Sequence, residues 1–148
     1  MTETKQQTMV VPDFAFWHET TVRHSDLDPN DHVTNSVICA WFDDGRYILL
    51  RQKLRPLVEA TDYFALVKLE MNFRKEIRMF DVPRIATTVT RIGKSSMAMH
   101  QHLVIGGEIA ATAQSVTVLA DGNTRSAKPL SADQQDALLP FMAEDQTA

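Results

Sequence analysis

A helical repeat of apolar residues runs from Asn35 to about Lys53. Val37, Ile38, Trp41, Phe42, Ile48 and Leu49 recur at the i, i+3, i+4 spacing that places side chains on one face of an α-helix. Thr34 or Asn35 could cap this helix. Its first half is apolar on nearly every side, which predicts deep burial. Arg51 and Lys53 mark a cation-rich end that emerges into solvent.

Strand-like runs lie on both sides of this predicted helix. They combine β-branched and aromatic residues with an alternation of period two, and they cover residues 14–24, 63–77, 81–93, 95–105 and 107–120. The last three runs are separated by "IGKSS" and "IGGE", which resemble hairpin turns because glycine tolerates a positive φ. A short amphipathic helix capped by Ser131 follows near the C-terminus.

One long apolar helix and one set of antiparallel strands favour a single layered architecture. The apolar face of the helix needs a sheet to cover it, so the pattern predicts an α+β fold in which a five-stranded antiparallel sheet wraps around the helix. No repeat or linker divides the chain. We therefore expect a flexible N-terminal tail over residues 1–12 and a single domain over 13–148.

Composition narrows the possible partners. The 148 residues include 44% hydrophobic and 23% charged residues, and the formal net charge is −4, so no basic balance indicates nucleic acid. No signal-peptide pattern and no apolar run of membrane-spanning length is found. Cys39 is the single cysteine, which excludes a disulfide within the chain. We expect a cytoplasmic protein without a membrane partner.

Polar chemistry is concentrated in "RHSDLDPNDHVTN", residues 23–35. Three aspartates, two histidines and two asparagines lie in thirteen residues, between a predicted strand and the start of the predicted helix. The composition is typical of a turn. Backbone N–H groups at a helix start also carry partial positive charge, which can polarise a carbonyl oxygen.

This block resembles that of hotdog-fold thioesterases similar to 4-hydroxybenzoyl-CoA thioesterase, which carry D-x-D-P-x-G-H-V-N-N-x-x-Y before the helix and E-E-A-R within it. The chain reads "DLDPNDHVTN" and then "DDGR". The block also resembles that of acyl-acyl-carrier-protein thioesterases. Three departures stand out: Asp31 replaces a glycine, Thr34 an asparagine and Ile38 a tyrosine. The first could alter the loop geometry, and the last could reshape an acyl pocket.

The resemblance implies hydrolysis of an acyl-CoA thioester, with coenzyme A as part of the substrate and no other cofactor. Asp28 corresponds to the catalytic carboxylate, acting as general base or as nucleophile. The backbone N–H of Asn35 would polarise the thioester carbonyl. Asn30 and His32 match a catalytic network proposed for the carrier-protein enzymes, and Glu76 in "FRKEI" matches its downstream glutamate.

Structural roles compete with these assignments. Asp28 could be a turn or cap residue, His32 a satisfied structural histidine, and Glu76 a solvated strand end. Asp43 or Asp44, in the middle of the helix, could pair with Arg46 rather than line a site, because an unpaired carboxylate is costly to bury. Trp41 and Phe42 are better explained as core residues than as ligand contacts.

The sequence also suggests residues for phosphate binding, and the resemblance implies an oligomeric state. Arg74, Lys75, Arg91 and Lys94 could meet the phosphates of coenzyme A, although surface charge explains them equally well. The resemblance also implies a homodimer, or a dimer of dimers, in which two sheets join edge to edge. Such pairing would remove an exposed edge strand.

Other functions fit the sequence less well. Hotdog hydratases place Asp and His five residues apart, whereas the spacings here are six from Asp26 to His32 and four from Asp28 to His32. No HExxH or CxxC spacing indicates a metal site. A non-catalytic acyl-binding module on the same fold stays open as an alternative, and so does a thioesterase that acts on acyl-carrier protein.

Overall fold

The computed structural model describes residues 11–144. A strand, β1 (Phe16–Glu19), precedes the long helix α1 (Asn35–Lys53). Four further strands follow: β2 (Tyr63–Phe73), β3 (Arg84–Ile92), β4 (Ser96–Ile105) and β5 (Glu108–Ala120). A short helix, α2 (Ala132–Leu138), closes the chain, and one-turn 3₁₀ helices cover His24–Asp26, Arg55–Leu57 and Leu139–Phe141.

The five strands form one antiparallel sheet in the order β1-β3-β4-β5-β2. Strands β3, β4 and β5 form a meander through two hairpins, and Gly106 and Gly107 at the second hairpin have φ values of +56° and +81°. β2 pairs with β5 rather than with β3, its neighbour along the chain. The long connection after β2 therefore crosses from one edge of the sheet to the other side of the meander.

Helix α1 packs along the sheet through two groups of apolar side chains. Near its start, Ile38, Trp41 and Phe42 meet a buried cluster that includes Ile85 and Leu103. Toward its end, Leu49, Leu50 and Leu54 meet a second buried cluster that includes Val89, Met97, Leu119 and, from α2, Leu138. The predicted fold, a five-stranded antiparallel sheet packed against one long helix, is confirmed. Trp41 and Phe42 are core residues, as expected.

Gly45 allows the middle of α1 to approach the sheet closely. A Cβ at this position would lie 2.9 Å from Nε2 of Gln101 and 3.0 Å from Cγ2 of Ile85. Real Cβ contacts are rarely this short, so a larger residue would push the helix from the sheet. The same place holds the buried Arg46, which donates to Oε1 of Gln101 (2.9 Å) and to Oδ1 of Asp43 (3.2 Å). The predicted ion pair of Arg46 is confirmed with Asp43.

The predicted elements differ from the observed ones mainly at their ends. β1 covers four residues rather than the predicted 14–24. Its ladder ends at the pair of Glu19 with Arg84, because the next residue of the partner strand is Pro83, which has no N–H to donate. The predicted N-terminal tail lies almost entirely outside the described residues. Within residues 11–144, no helix is long and apolar enough to cross a membrane.

Candidate active site

The loop before α1 is organised around the carboxylate of Asp28. Its Oδ1 accepts the backbone N–H groups of Asn30 (2.8 Å) and His32 (3.1 Å), and its own N–H donates to the carbonyl of His32 (2.8 Å). Both side-chain bonds end on Oδ1, which leaves Oδ2 outside the hydrogen bonding of this loop. Asp28 is therefore a turn residue, as the structural explanation proposed, but one with a carboxylate oxygen available for chemistry.

Asp31 provides the left-handed residue that this turn needs. Its φ is +61°, in the region that favours glycine, the residue of the thioesterase pattern that this block resembles. Aspartate tolerates this conformation better than most residues because its short polar side chain bonds locally. Asp31 therefore adopts the left-handed conformation of this turn, and an effect of the replacement on the loop geometry stays a prediction.

Thr34 begins α1 without capping it. The hydroxyl of this N-cap residue makes no cap hydrogen bond and donates to the carbonyl of Asp26 instead (3.1 Å). Asn35 is then the first helical residue rather than the cap. Because the N-cap side chain is turned to the loop, it does not occupy the first backbone N–H groups of α1. Asn35, the first residue of this positively polarised helix start, lines the same cavity as Asp28.

His32 and Glu76 meet across this site, although 44 positions separate them in the sequence. Nε2 of His32 lies 3.1 Å from Oε2 of Glu76, and Nη2 of Arg78 lies 3.7 Å from the same oxygen. Backbone contacts hold the two segments together, since Val33 donates to the carbonyl of Ile77 (2.8 Å) and His32 forms a bridge with Arg78. Glu76 is thus more than a solvated strand end.

A cavity of about 460 Å³ lies between the loop, the start of α1 and the chain after β2. Its lining combines the polar residues of the predicted site with an apolar wall and comprises Asp28, His32, Val33, Thr34, Asn35, Ile38, Phe73, Arg74, Lys75, Glu76 and Ile77. The fold therefore gathers four of the five predicted catalytic residues around one space. Asn30 is exposed and outside this lining, and its side-chain role stays a prediction.

The four predicted phosphate-binding cations are divided between two places. Arg74 and Lys75 line the cavity. Arg91 lines a different cavity beside Lys68, and Lys94 lies in the hairpin between β3 and β4. The roles of Arg91 and Lys94 toward coenzyme A stay predictions, and this cavity brings neither residue in.

Lys75 also has a partner within the chain. Its Nζ lies 2.6 Å from Oε2 of Glu108, and this hydrogen bond and charge raise the pKa of Lys75 while lowering that of Glu108. Lys75 therefore stays protonated, but its charge is shared with a carboxylate. Arg74 is the cavity cation with more to offer an anionic ligand.

The apolar wall includes residues that the sequence did not single out. Phe73 and Ile77 flank the basic pair, and Val33 lies between the loop and the helix. The alternation of β2 is a signal for Phe73, because it predicts which residues share a face as the strand ends. Ile38, which replaces the family's tyrosine, lines the cavity as expected for a residue that shapes a pocket.

Metal-binding geometry is not found in the part of the chain that the structure describes. No group of three or more His, Cys, Asp or Glu side chains between residues 11 and 144 is arranged to hold an ion. His100 and His102, two apart on β4, stack with ring centroids 4.3 Å apart.

Comparison with known proteins identifies the family. A model described as the thioesterase-like superfamily matches residues 22–138. The chain belongs to this superfamily. No curated protein sequence matches the chain.

Solved structures agree on the fold of this superfamily member. A predicted thioesterase from Bacillus stearothermophilus has a TM-score of 0.81 at 21% identity, covering 88% of this chain and 98% of that one. A Thermus thermophilus thioesterase complexed with coenzyme A and Zn has a TM-score of 0.75 at 23% identity, covering 84% and 92%. A 1,4-dihydroxy-2-naphthoyl-CoA thioesterase from Synechocystis has a TM-score of 0.74 at 18% identity, covering 84% and 96%. At these identities the likeness shows the hotdog fold.

Proposed function

We propose that the protein hydrolyses an acyl-CoA thioester to a carboxylic acid and free coenzyme A. The observation that carries the proposal is that Asp28 and the uncapped start of α1 line one cavity. Hydrolysis needs a base or nucleophile on one side of the carbonyl and hydrogen-bond donors for the oxyanion that develops on the other side. The loop and the helix supply these two functions.

Two routes use this arrangement. As a base, Asp28 takes a proton from water while the water oxygen attacks the carbonyl carbon. The carbon–sulfur bond then breaks, and the thiolate of coenzyme A takes up the proton. As a nucleophile, the carboxylate attacks the carbonyl itself, expels the thiolate and forms an anhydride that water cleaves. In both routes the backbone N–H of Asn35 stabilises the oxyanion.

His32 and Glu76 act as orienting groups in this proposal. Their contact at 3.1 Å joins the turn of Asp28 to the segment after β2. The backbone N–H of His32 also donates to Oδ1 of Asp28, so His32 controls the position of the carboxylate. Such support limits the motion of the reacting oxygen relative to the substrate.

Coenzyme A is proposed as the thiol because two cations, Arg74 and Lys75, line the cavity. Arg74 and Lys75 can meet phosphate oxygens, and guanidinium groups do so with paired hydrogen bonds. The Thermus thermophilus thioesterase of the same fold binds coenzyme A. Carrier-protein thioesters also present a phosphopantetheine arm, and they are therefore the natural comparison substrate.

The test is thiol release from a panel of aromatic and short-to-long aliphatic acyl-CoA substrates, with the best acyl group also supplied on acyl-carrier protein. We expect turnover of at least one acyl-CoA, and the preferred acyl group then defines the pocket that Ile38 shapes. Faster hydrolysis of the acyl-carrier protein thioester would show that the carrier protein, rather than coenzyme A, is the thiol component of the substrate. Binding without hydrolysis of any substrate would favour the acyl-binding module.

A matched pair of arginine variants tests coenzyme A recognition. Arg74→Gln removes a cation from the cavity, whereas Arg91→Gln removes one from the other cavity on the sheet. We expect the KM for acyl-CoA to rise about tenfold in the first variant, since a charge-assisted hydrogen bond contributes about 1.5–3 kcal/mol. An increase in the second variant alone would place the phosphates at Arg91 and would contradict phosphate binding at this cavity.

We also propose that two copies pair through β2. This edge strand exposes Leu66 and Val67 by 44% and 60%, and Phe73 by 48%. An edge with apolar side chains and unpaired backbone groups is a template for a second strand. Light scattering after size exclusion should give a dimer, and Val67→Lys should shift it toward the monomer. A wild-type monomer would contradict the pairing.

A further inference from the structure

Phe80 is an unusual residue in the segment that follows the candidate active site. Its side chain is 89% exposed, more than any other large hydrophobic side chain within residues 11–144. Its φ is +74°, a left-handed conformation that a bulky side chain rarely adopts. Phe80 therefore has neither burial nor a relaxed backbone to explain its presence, and glycine would suit the position better.

The turn around Phe80 holds this conformation in place. The backbone N–H of Arg78 donates to Oδ2 of Asp81 (2.9 Å), and the N–H of Asp81 donates back to the carbonyl of Arg78 (3.2 Å). These two bonds close the turn on either side of Phe80. Strained residues that their surroundings fix in this way are common at ligand-binding sites, because the strain presents a side chain in one position.

This turn is joined directly to the candidate active site. Glu76 and Ile77 line the cavity, and Phe80 follows three residues after Ile77, which limits their Cα separation to about 11 Å. Arg78 bridges His32 through the backbone, and its guanidinium lies 3.7 Å from Glu76. The Cα of Phe80 thus lies within about 11 Å of that of Ile77 in the cavity lining, on a segment that also carries Arg74 and Lys75.

We propose that Phe80 stacks on the adenine ring of coenzyme A. The inference rests on the proposed function, because it adds the nucleotide end of the substrate whose thioester end enters the cavity. A pantetheine arm separates the thioester from the phosphates and the base, so the base binds outside the cavity. The cations Arg74 and Lys75 in the cavity lining can meet the phosphates, and the exposed ring of Phe80, five residues further along the same segment than Lys75, offers a face on which the base can stack.

The experiment compares two thioesters with the same acyl group, acyl-CoA and acyl-pantetheine, which lacks the nucleotide. We expect Phe80→Ala to lower kcat/KM for acyl-CoA about tenfold and to leave acyl-pantetheine unchanged, since stacking on one base is worth a factor of roughly 5 to 150. Phe80→Trp should keep the preference for acyl-CoA. Phe14→Ala removes another exposed aromatic, ahead of β1, and should affect neither substrate.

Phe80→Gly separates binding from folding. Glycine relieves the positive φ, so this variant should melt at a higher temperature than Phe80→Ala while showing the same loss with acyl-CoA. A ratio of the two kcat/KM values that stays at the wild-type level in both variants would overturn the inference and leave the proposed function intact.

Binding of free coenzyme A decides the inference if the wild type hydrolyses neither thioester. Calorimetry on the full chain then gives the Kd for coenzyme A in the wild type and in Phe80→Ala. A Kd about tenfold higher in the variant would support stacking even though hydrolysis has failed. An equal Kd, or no binding to the wild type, would overturn it.

Discussion

The two α-helices found among residues 11–144 begin in opposite ways. At the start of α2, Ser131 and Gln134 form a complete capping box, because Oγ of Ser131 accepts the N–H of Gln134 (3.2 Å) and Oε1 of Gln134 accepts the N–H of Ser131 (2.8 Å). At the start of α1, Thr34 makes no side-chain cap and bonds to Asp26 instead. One helix satisfies its first amides with its own side chains, and the other does not.

This difference separates a structural helix end from a candidate catalytic one. Capping typically stabilises a helix by about 1 kcal/mol, so an uncapped start gives up stability. The long α1 can tolerate that loss because its apolar residues pack along the sheet at both ends. Its first residue, Asn35, lines the cavity that holds Asp28, where a developing oxyanion would use the N–H of Asn35. The short α2 buries only Gln134 and Leu138, so it depends more on its N-terminal cap for stability.

The largest predicted effect is a loss of stability at acid pH caused by the buried His102. It limits the pH range in which the starts of α1 and α2 can be compared in the folded protein. His102 is 3% exposed, and among the described residues neither of its ring nitrogens has a hydrogen-bond partner. Burial, and then the charges of His100 and Arg74, lower its pKa to about 4 from 6.5. Between these two pH values the unfolded chain binds more protons than the folded protein. The free energy of unfolding therefore decreases as the pH is lowered from 6.5 to about 4, by up to about 3 kcal/mol.

Urea unfolding at pH 7 and pH 4.5 measures this loss. His102→Leu should remove much of the decrease in the free energy of unfolding between the two pH values. The exposed His24 provides the control, because His24→Gln should retain it. An equally steep decrease in His102→Leu would show that other groups drive acid unfolding.

The next largest effect is expected from a substitution that gives α1 a side-chain cap like that of α2. Thr34→Asp places a carboxylate at the N-cap, where it can accept the N–H of Ser36 or Val37 and adds negative charge beside Asp28 and beside Asn35, whose N–H is the proposed oxyanion donor. We expect kcat/KM to fall at least tenfold, while the melting temperature is unchanged or higher. Thr34→Asn caps without a charge and separates the two causes. Full activity in a variant with a more stable helix would contradict the use of these amides in catalysis.

The smallest effect is expected from a substitution that removes the side-chain cap of α2, so that it begins uncapped like α1. Ser131→Ala removes the cap at the structural end and should lower the free energy of unfolding by about 1 kcal/mol. Activity per folded molecule should stay at the wild-type level, because Ser131 is not among the residues that line the candidate cavity. Chemical denaturation and thiol release on the same samples test both statements. A selective loss of activity would show that α2 also supports the site.

The fold was predictable wherever a local pattern records burial. The spacing of Ile38, Trp41 and Phe42 gave α1, and the signals of Ser131 gave the start of α2. The length of β1 was not predictable in this way, because it depends on where Pro83 falls on the partner strand. The pairing of β2 with β5 likewise has no local signal.

The site was predictable where its residues are contiguous. The block from Asp28 to Asn35 indicated chemistry through its composition and its resemblance to known thioesterases. The contact of His32 with Glu76 depends on how the loop packs against the segment after β2, which spacing alone does not reveal. The presence of a cationic residue predicts a phosphate-binding site even less well, because charge does not indicate whether the residue lies beside the cavity. Arg91 shares the charge of Arg74 and lies elsewhere.

The most direct test of the account compares two aspartates that perform the same structural task. Oδ1 of Asp28 accepts two backbone N–H groups in a turn, and Oδ1 of Asp121 accepts those of Asn123 (2.7 Å) and Thr124 (3.2 Å) in a loop outside the cavity lining. Asparagine can accept the same bonds in either place but cannot serve as a base. The measurement is kcat/KM for the best acyl-CoA, with melting temperatures for both variants.

We predict that Asp28→Asn lowers kcat/KM at least ~100-fold while it stays folded, and that Asp121→Asn keeps the wild-type rate. Equal activity in the two variants would contradict the assignment of Asp28 as the reacting carboxylate.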